Sequence, residues 1–223
     1  MRFNKNSLKY LKDLKKNNNR DWFAETKPVF KIAQDNAKEM YASIREDLEK
    51  HDEIDHFKLY RIYRDVRFSK DKTPYQPHFA GSFSRLGAHL RGGYYLRIRP
   101  GESFLAGGFW EPNKEDLYRI RKEFETDDSE IREILSDKKF VEYFGGSFEP
   151  FELKTAPRGF DKNHKSIDLI RKKGFVAVRN FTDEEVLASN FNEEVEKSFK
   201  ALRPFFDLMS DILTTDLNGE STI

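Results

Sequence analysis

The hydrophobic residues of this chain change their spacing twice, and the change limits the folds that the chain can adopt. Apolar residues recur every three or four positions from Trp22 to Leu48, and the same spacing returns from Leu187 to Leu213. This periodicity predicts long amphipathic helices near both ends. Between them the spacing shortens to two, which is typical of strands with one buried face.

The alternating middle predicts an antiparallel sheet. Its short apolar stretches are separated by turn residues such as Gly92-Gly93 and Pro100-Gly101. We predict strands over Leu59–Phe68 and from Phe79, Gly93 and Glu102 onward, with a further strand from Gly174. The expected class is α+β, with a central antiparallel sheet covered on one face by the long N-terminal and C-terminal helices and partly open on the other.

Local signals mark where the helices begin. Asn19 and Asn113 are predicted helix N-caps, because their side chains can accept hydrogen bonds from the first turn. Pro28 and Pro204 are expected to kink a helix or to begin a new segment. At 223 residues, nothing requires a second core, so we expect a single domain over 1–223.

Composition excludes several kinds of chemistry. The chain has no cysteine, which excludes disulfides, thiolate metal sites and cysteine nucleophiles. No stretch approaches the roughly 20 apolar residues that span a bilayer. The five histidines form no helical pair with the spacing of zinc ligands. We therefore expect a cytoplasmic protein with no membrane contact, no metal and no cofactor.

The net charge of +1 conceals a strong asymmetry along the chain. Between Lys58 and Gly101, ten basic residues face only two acids, Asp65 and Asp71, which gives this segment a charge of +8. From Asp183 to the end, ten acids face three basic residues, which gives −7. The two regions face each other or serve different partners.

Arg64 is the most informative residue of the basic segment. In the predicted strand it shares a face with apolar residues such as Ile62 and Val66. A guanidinium there requires a carboxylate or carbonyl partner, or it projects into a cavity that receives an anion. Lys70 and Lys72 follow, and Pro74 then stiffens the chain, an arrangement suited to an anion site. The sequence leaves both interpretations of Arg64 open.

Two further segments could complete a site. Gly107-Gly108 before Trp110 indicates a bulge or a close backbone approach, either to packed residues or to a ligand with Trp110 as a stacking wall. The segment around Arg158 and His164 has little periodicity, as expected of a loop that caps a site, although an ordinary surface loop fits equally well.

From these patterns we predict one site. Its expected ligand-binding residues are Arg61, Tyr63, Arg64, Arg67, Lys70, Lys72, Tyr75, Trp110 and Arg158. If the protein is an enzyme, Asp65 or His164 is the expected catalytic acid or base. This prediction assumes that the basic segment and the loop 154–164 converge in space.

Several motifs together resemble a known family. They are Asn17-Asn-Asn-Arg-Asp-Trp-Phe23, the run from Arg61 to Tyr75, Gly93-Tyr-Tyr-Leu followed by Pro100-Gly-Glu-Ser-Phe, Gly107-Gly-Phe-Trp-Glu-Pro112, and the run from Leu153 to His164. The chain resembles, over nearly its whole length, the mainly bacterial domain of unknown function 2461. The resemblance implies a bacterial cytosolic protein and implies no particular activity.

Three functions remain open from the sequence. We expect a basic Arg/Lys/Tyr pocket that binds an anionic small molecule, a class that includes phosphorylated compounds. A second hypothesis is nucleic-acid binding, since cations interleaved with aromatic residues suit phosphate contacts and base stacking. A third is a protein-interaction module without catalytic activity, whose protein partner the sequence does not identify.

Overall fold

A computed structural model describes residues 2–216 and 218–223. In chain order, the helices are α1 (Lys5–Lys16), α2 (Arg20–Glu25), α3 (Lys27–Leu48), α4 (Lys114–Thr126), α5 (Ser129–Ser136), α6 (Lys138–Phe144), α7 (Ile167–Ile170), α8 (Asp183–Leu187), α9 (Phe191–Ala201) and α10 (Arg203–Thr214). The strands are β1 (Ile54–Leu59), β2 (Phe79–Arg85), β3 (Gly93–Ile98), β4 (Ser103–Phe109) and β5 (Phe175–Phe181).

The strands form one antiparallel sheet in the order β1-β2-β3-β4-β5. Each strand therefore lies beside the strand that follows it in sequence, and the long connection between β4 and β5 carries helices α4 to α7. The predicted α+β class, with helices covering one face of an antiparallel sheet, is confirmed.

The predicted helix starts are also confirmed. The Asn19 side chain accepts a hydrogen bond from Trp22 N at 2.9 Å and caps α2, and Asn113 caps α4 in the same way. Pro28 and Pro204 lie in the first turns of α3 and α10, where a missing N–H costs no helical hydrogen bond. Both prolines thus begin new segments.

The strand predicted over Leu59–Phe68 is wrong. The strand in this region is β1, which ends at Leu59 where the predicted one begins. Between the end of β1 and the start of β2, Tyr63 and Tyr75 form an isolated antiparallel bridge and no strand. The alternating pattern gave a wrong prediction because its last apolar residue, Phe68, is 97% exposed and does not pack against the core as a strand residue would.

The backbone contacts divide the chain into two compact units. The first comprises Met1–Phe83, Tyr95–Leu105 and Asn180–Lys197, and the second comprises Ser84–Tyr94, Ala106–Arg179 and Ser198–Ile223. The expectation of a single domain over residues 1–223 remains a prediction.

The core of the first unit is organised around Tyr41 of α3, which is fully buried. Its hydroxyl lies 2.9 Å from the carbonyl oxygen of Leu96 and 3.2 Å from that of Phe79, which ties the helix to β3 and β2. Its ring packs against Phe57 and Phe83, whose centroids are 5.0 Å apart. One face of the strands in this unit is therefore covered by α3.

The core of the second unit packs the C-terminal helices against aromatic residues. The Tyr94 ring lies 4.8 Å from the Phe199 ring and 5.0 Å from the Phe206 ring, centroid to centroid. Arg85 is buried beside them, and its guanidinium donates to Asp207 at 2.7 Å. Among the described residues, no helix combines the length and apolar character that a membrane crossing requires.

Candidate functional site

We use the name basic loop for residues 60–75, which contain most of the predicted ligand-binding residues. Two of its arginines are neutralised by carboxylates of the same loop. Arg64 Nη1 lies 2.5 Å from Asp71 Oδ2 and also contacts Thr73, and Arg67 Nη2 lies 2.6 Å from Asp65 Oδ2. Of the two interpretations of Arg64, the ion pair is the one observed.

The same contacts keep the loop carboxylates ionised. The Thr73 backbone N–H, followed by the Arg64 guanidinium, lowers the pKa of Asp71 to about 2. The Arg67 side chain likewise lowers the pKa of Asp65. A carboxylate whose pKa is lowered by its own ion pair is a poor proton donor near neutral pH and a weakened proton acceptor, so the geometry gives the predicted role of Asp65 as acid or base no added support.

The other residues of the basic loop divide between core and surface. Tyr75 is buried and stacks on Phe23 with centroids 4.0 Å apart, and the Asn18 side chain holds both its backbone N and O. Lys72 donates to the carbonyl oxygen of Val66 at 3.0 Å. The predicted residues Arg61, Tyr63 and Lys70 are exposed.

Beside the basic loop lies a wide, open depression of about 560 Å³. It is lined by Asn18, Asn19, Arg20, Val66, Lys72, Thr73 and Pro74. Of the predicted ligand-binding residues, it contains only Lys72.

Three predicted site residues lie in the second unit. Trp110 is 66% exposed and stacks on Phe151, with centroids 5.6 Å apart and rings nearly parallel. Arg158 is exposed, and His164 is half-buried, its Nδ1 accepting a hydrogen bond from Ser166 N at 3.2 Å. The convergence of these residues with the basic loop remains a prediction.

Packing accounts for the glycine pair that precedes Trp110. A Cβ on Gly107 would collide with Leu202, and one on Gly108 would collide with the carbonyl oxygen of Phe175. Gly108 also has a φ of 142°, which L residues rarely adopt. Gly107 and Gly108 could approach either packed residues or a ligand, and the structure shows the approach to packed residues.

A second group of polar residues lies on the sheet face turned away from α3, within the first unit. In β3, Tyr95 and Arg97 alternate with the buried residues Leu96 and Ile98 and therefore point to this outer face. We use the name outer-face cluster for Tyr60, His78, Ser82, Tyr95, Arg97 and Arg99.

Aromatic and hydroxyl groups make up one side of the outer-face cluster. The Tyr60 hydroxyl and Ser82 Oγ are 3.1 Å apart, and the Tyr60 and Tyr95 ring centroids are 6.4 Å apart. Tyr95 also lies 5.6 Å from the Phe104 ring. Burial raises the pKa of Tyr95, so its hydroxyl stays protonated and can donate a hydrogen bond.

Arg97 is the cation of this cluster without a carboxylate. Its Nη2 donates to the Glu102 carbonyl oxygen at 3.1 Å, and its guanidinium lies 4.3 Å from the Phe104 centroid. Its Nε is buried and has no hydrogen-bond partner among the described residues, whereas Nη1 is neither bonded to them nor buried. Burial lowers the pKa of Arg97. Nη1 is thus a charged donor that remains available.

Arg99 and Glu102 extend the cluster toward α1. Arg99 Nε lies 3.4 Å from Glu102 Oε1 without hydrogen-bond alignment, and Lys15 Nζ lies 3.1 Å from the same oxygen. The bond from Lys15 lowers the pKa of Glu102, with Arg99 and Arg97 contributing. Arg97, Arg99, Lys15 and Glu102 together carry three positive charges and one negative charge, a net charge of +2.

His78 adds a neutral group to the cluster. Burial lowers its pKa to about 4, and the nearby charges of Arg97 and Arg99 act in the same direction. Its Nδ1 is buried and has no hydrogen-bond partner among the described residues. Because a buried N–H without an acceptor is rare, the proton is better placed on Nε2, which is not buried. His78 can therefore donate a hydrogen bond at neutral pH.

The basic segment from Lys58 to Gly101 includes Arg97 and Arg99, but the site predicted from the sequence contains neither of them, nor His78. A usable signal was present. In the predicted strand from Gly93, the two arginines lie two positions apart and opposite to Leu96 and Ile98, so the alternation itself places them on one face. The position of His78 depends on the sheet pairing, which the sequence does not display.

Within residues 2–216 and 218–223, no three or more histidine, aspartate or glutamate side chains are arranged to hold a metal ion. A family model described as conserved hypothetical protein (DUF2461) matches residues 6–208. No curated protein and no solved structure matches the chain.

Proposed function

The chain belongs to the DUF2461 family, whose description assigns no activity, and we propose that it binds an anionic small molecule at the outer-face cluster. Arg97 and Arg99 supply the positive charge, His78 supplies a neutral donor, and Tyr60 and Tyr95 form a wall. The proposal keeps the ligand class expected from the sequence and moves the site from the basic loop to the sheet.

The main support for the proposal is that Arg97 has no carboxylate partner among the described residues, whereas two arginines of the basic loop do. Arg64 and Arg67 each have a carboxylate partner at hydrogen-bond distance. Arg97 is half-buried and has no carboxylate within ion-pair distance among the described residues. Because a partly desolvated cation is costly without a counter-charge, a bound anion would supply the partner that the protein itself does not.

Two contacts offset part of this cost in the free protein. The Phe104 ring contributes a cation–π interaction, commonly worth about 0.5–2 kcal/mol, and the Glu102 carbonyl oxygen accepts one hydrogen bond. Both hold the guanidinium in place and leave Nη1 free. A guanidinium already fixed in position loses less entropy when it binds an anion.

A thermal-shift screen against phosphorylated metabolites, carboxylates and sulfated compounds tests this proposal. A ligand at about 100 times its dissociation constant adds roughly 2.7 kcal/mol of stability. We expect Arg97→Met to abolish the ligand-induced shift in melting temperature and Arg45→Met to retain it, since Arg45 is a partly exposed residue of α3 that is paired with Glu49. If the ligand-induced shift in melting temperature is lost in Arg64→Met but kept in Arg97→Met, the anion binds at the basic loop and not at the outer-face cluster.

Single-stranded nucleic acid is a second candidate, favoured by the rings of Tyr60, Tyr95 and Phe104 beside Arg97. Aromatic side chains next to cations on a sheet suit base stacking and phosphate contacts. A steep fall in the affinity of a fluorescent oligonucleotide with salt would support this function. If neither oligonucleotides nor small anions bind, the protein-interaction module becomes the preferred alternative.

We also propose a bacterial, cytoplasmic setting. The absence of cysteine in the sequence fits a reducing compartment, where disulfides do not form. Recovery of the protein in the soluble cytoplasmic fraction of a bacterium that encodes it would support this assignment, and recovery in the periplasm would contradict it.

A further inference from the structure

We infer that the group recognised by the outer-face cluster is the terminal phosphoryl group of a phosphomonoester, held by Arg97, Arg99 and His78. This inference rests on the proposed function, because it names the chemical class of the anion at the same site.

The number and kind of available donors support a phosphoryl group. Arg97 Nη1, the terminal nitrogens of Arg99 and His78 Nε2 are neither bonded to the described residues nor buried without a partner. Three separate side chains can each donate to a different oxygen. A phosphoryl group has three terminal oxygens in a tetrahedral arrangement, whereas a carboxylate has two oxygens in one plane.

The charge around these donors also matches a dianion. Among the residues that the structure describes, Arg99 and Lys15 pair with Glu102 and Arg97 has no carboxylate partner, which leaves these four residues with a net charge of +2. The neighbouring ion pair of Lys12 with Asp183, at 2.9 Å, adds no net charge. A phosphomonoester carries close to two negative charges near neutral pH, whereas a phosphodiester, a sulfate ester or a carboxylate carries one. The phosphomonoester is therefore the anion that neutralises this group of residues.

A neutral His78 adds selectivity without adding charge. Its Nε2–H donates to a phosphoryl oxygen. Burial, together with the charges of Arg97 and Arg99, lowers the pKa of the ring and keeps it neutral in the free protein. The Tyr60 and Ser82 hydroxyls and the Tyr95 ring lie beside this group and contact the organic part of the ligand.

Calorimetric titration of the full chain with four compounds that share one phenyl ring tests the inference. The probes are phenyl phosphate, phenyl sulfate, methyl phenyl phosphate and benzoate, all near pH 7.5. We expect phenyl phosphate to bind at least about tenfold more tightly than the other three. Equal affinities for phenyl phosphate and benzoate would overturn the phosphoryl assignment and leave anion binding intact. Failure of all four probes to bind would count against both.

Variants of His78 and Arg99 sharpen this result. We expect His78→Gln, which keeps an N–H donor, to retain most of the preference for phenyl phosphate, and His78→Leu to lose it. Arg99→Gln should weaken the binding of phenyl phosphate more than that of benzoate, because it removes one positive charge from the group that faces the dianion. The wild-type comparison of the four probes decides the question even if a variant fails to fold.

Discussion

At the scale of single residues, the outer-face cluster combines charges that the fold does not neutralise with a histidine that it keeps neutral. A partly buried neutral histidine and a partly buried arginine both lower stability under some conditions, because the charged form of each is solvated more favourably in the unfolded chain. Such groups cluster at functional sites more often than elsewhere. Their effects on stability can be measured without knowing the ligand.

His78 gives the protein a specific dependence on pH. Its pKa is about 4 in the folded protein, below its ordinary value of 6.5, so the unfolded chain binds more protons between these two pH values. Stability is therefore fully present above pH 6.5 and falls as the pH approaches 4. We predict that His78→Gln removes up to about 2 kcal/mol of the loss between pH 7 and pH 5, measured by urea unfolding at these two pH values. The exposed His89→Gln variant is the control; equal profiles for the two variants would contradict the prediction.

The same substitution should change the free energy of unfolding to very different extents at Arg97 and at Arg85. Arg97→Met removes a cation without a carboxylate partner, so we expect the free energy of unfolding to change by less than about 1 kcal/mol. Arg85→Met removes a buried guanidinium bonded to Asp207, Ser210 and the Arg91 carbonyl, with an expected loss of about 3–5 kcal/mol. Urea unfolding of both variants measures the difference. A large loss in Arg97→Met would mean that this cation is structural.

At the scale of elements, the basic loop depends on residues outside it. Asn18, between α1 and α2, accepts a hydrogen bond from Tyr75 N at 3.1 Å and donates one to Tyr75 O at 2.8 Å. These two bonds hold the end of the loop as a neighbouring strand would. The following residue, Asn19, caps α2, so the asparagine run is explained by local structure.

We predict that Asn18→Ala loosens the basic loop without unfolding the protein. Losing a half-buried hydrogen-bonding partner of a backbone N–H and C=O costs about 1–3 kcal/mol. Amides of residues 60–75 should exchange faster in hydrogen-exchange mass spectrometry, while those of β3 stay protected. Asn17→Ala is the matched control, because the Asn17 side chain donates its hydrogen bond to the carbonyl oxygen of Asp13 in the last turn of α1 and not to the loop. Unchanged exchange in the loop would show that Asn18 does not hold it.

The elements were predictable from sequence to different degrees. The helices and the strands from Phe79 to Phe181 follow from periodicity and capping, which are local properties. The alternation from Tyr60 to Phe68 produced no strand, because a strand also needs a continuous partner, and the pairing here is an isolated bridge between Tyr63 and Tyr75. The ligand site was placed on the basic loop because the sequence shows charges and does not show which carboxylates neutralise them.

At the scale of the whole molecule, the chain forms two compact units, and each contains one of the two tryptophans. Trp22 belongs to the first unit and Trp110 to the second. Each tryptophan alone therefore reports on the unfolding of one unit. The charges of +8 and −7 along the sequence are screened over about 10 Å at ordinary salt concentrations, so they influence encounter with ligands more than stability.

Single-tryptophan variants test whether the two units unfold together. The two variants are Trp22→Phe and Trp110→Phe. We predict that in each variant the fluorescence of the remaining tryptophan and the circular dichroism signal give the same urea midpoint of unfolding. Coincident transitions are expected of one cooperative domain. Separate transitions would show two domains. In that case, an anion bound to the outer-face cluster should stabilise only the transition that Trp22 reports.

The most direct test of anion binding at the outer-face cluster is the nuclear magnetic resonance spectrum of the arginine Nε–H groups during titration with phenyl phosphate. Signals are assigned by the single variants Arg97→Met, Arg64→Met and Arg67→Met. We predict that the Arg97 signal shifts with added ligand while those of Arg64 and Arg67, already paired with carboxylates, stay in place. Shifts confined to Arg64 and Arg67 would place the site on the basic loop and contradict the account.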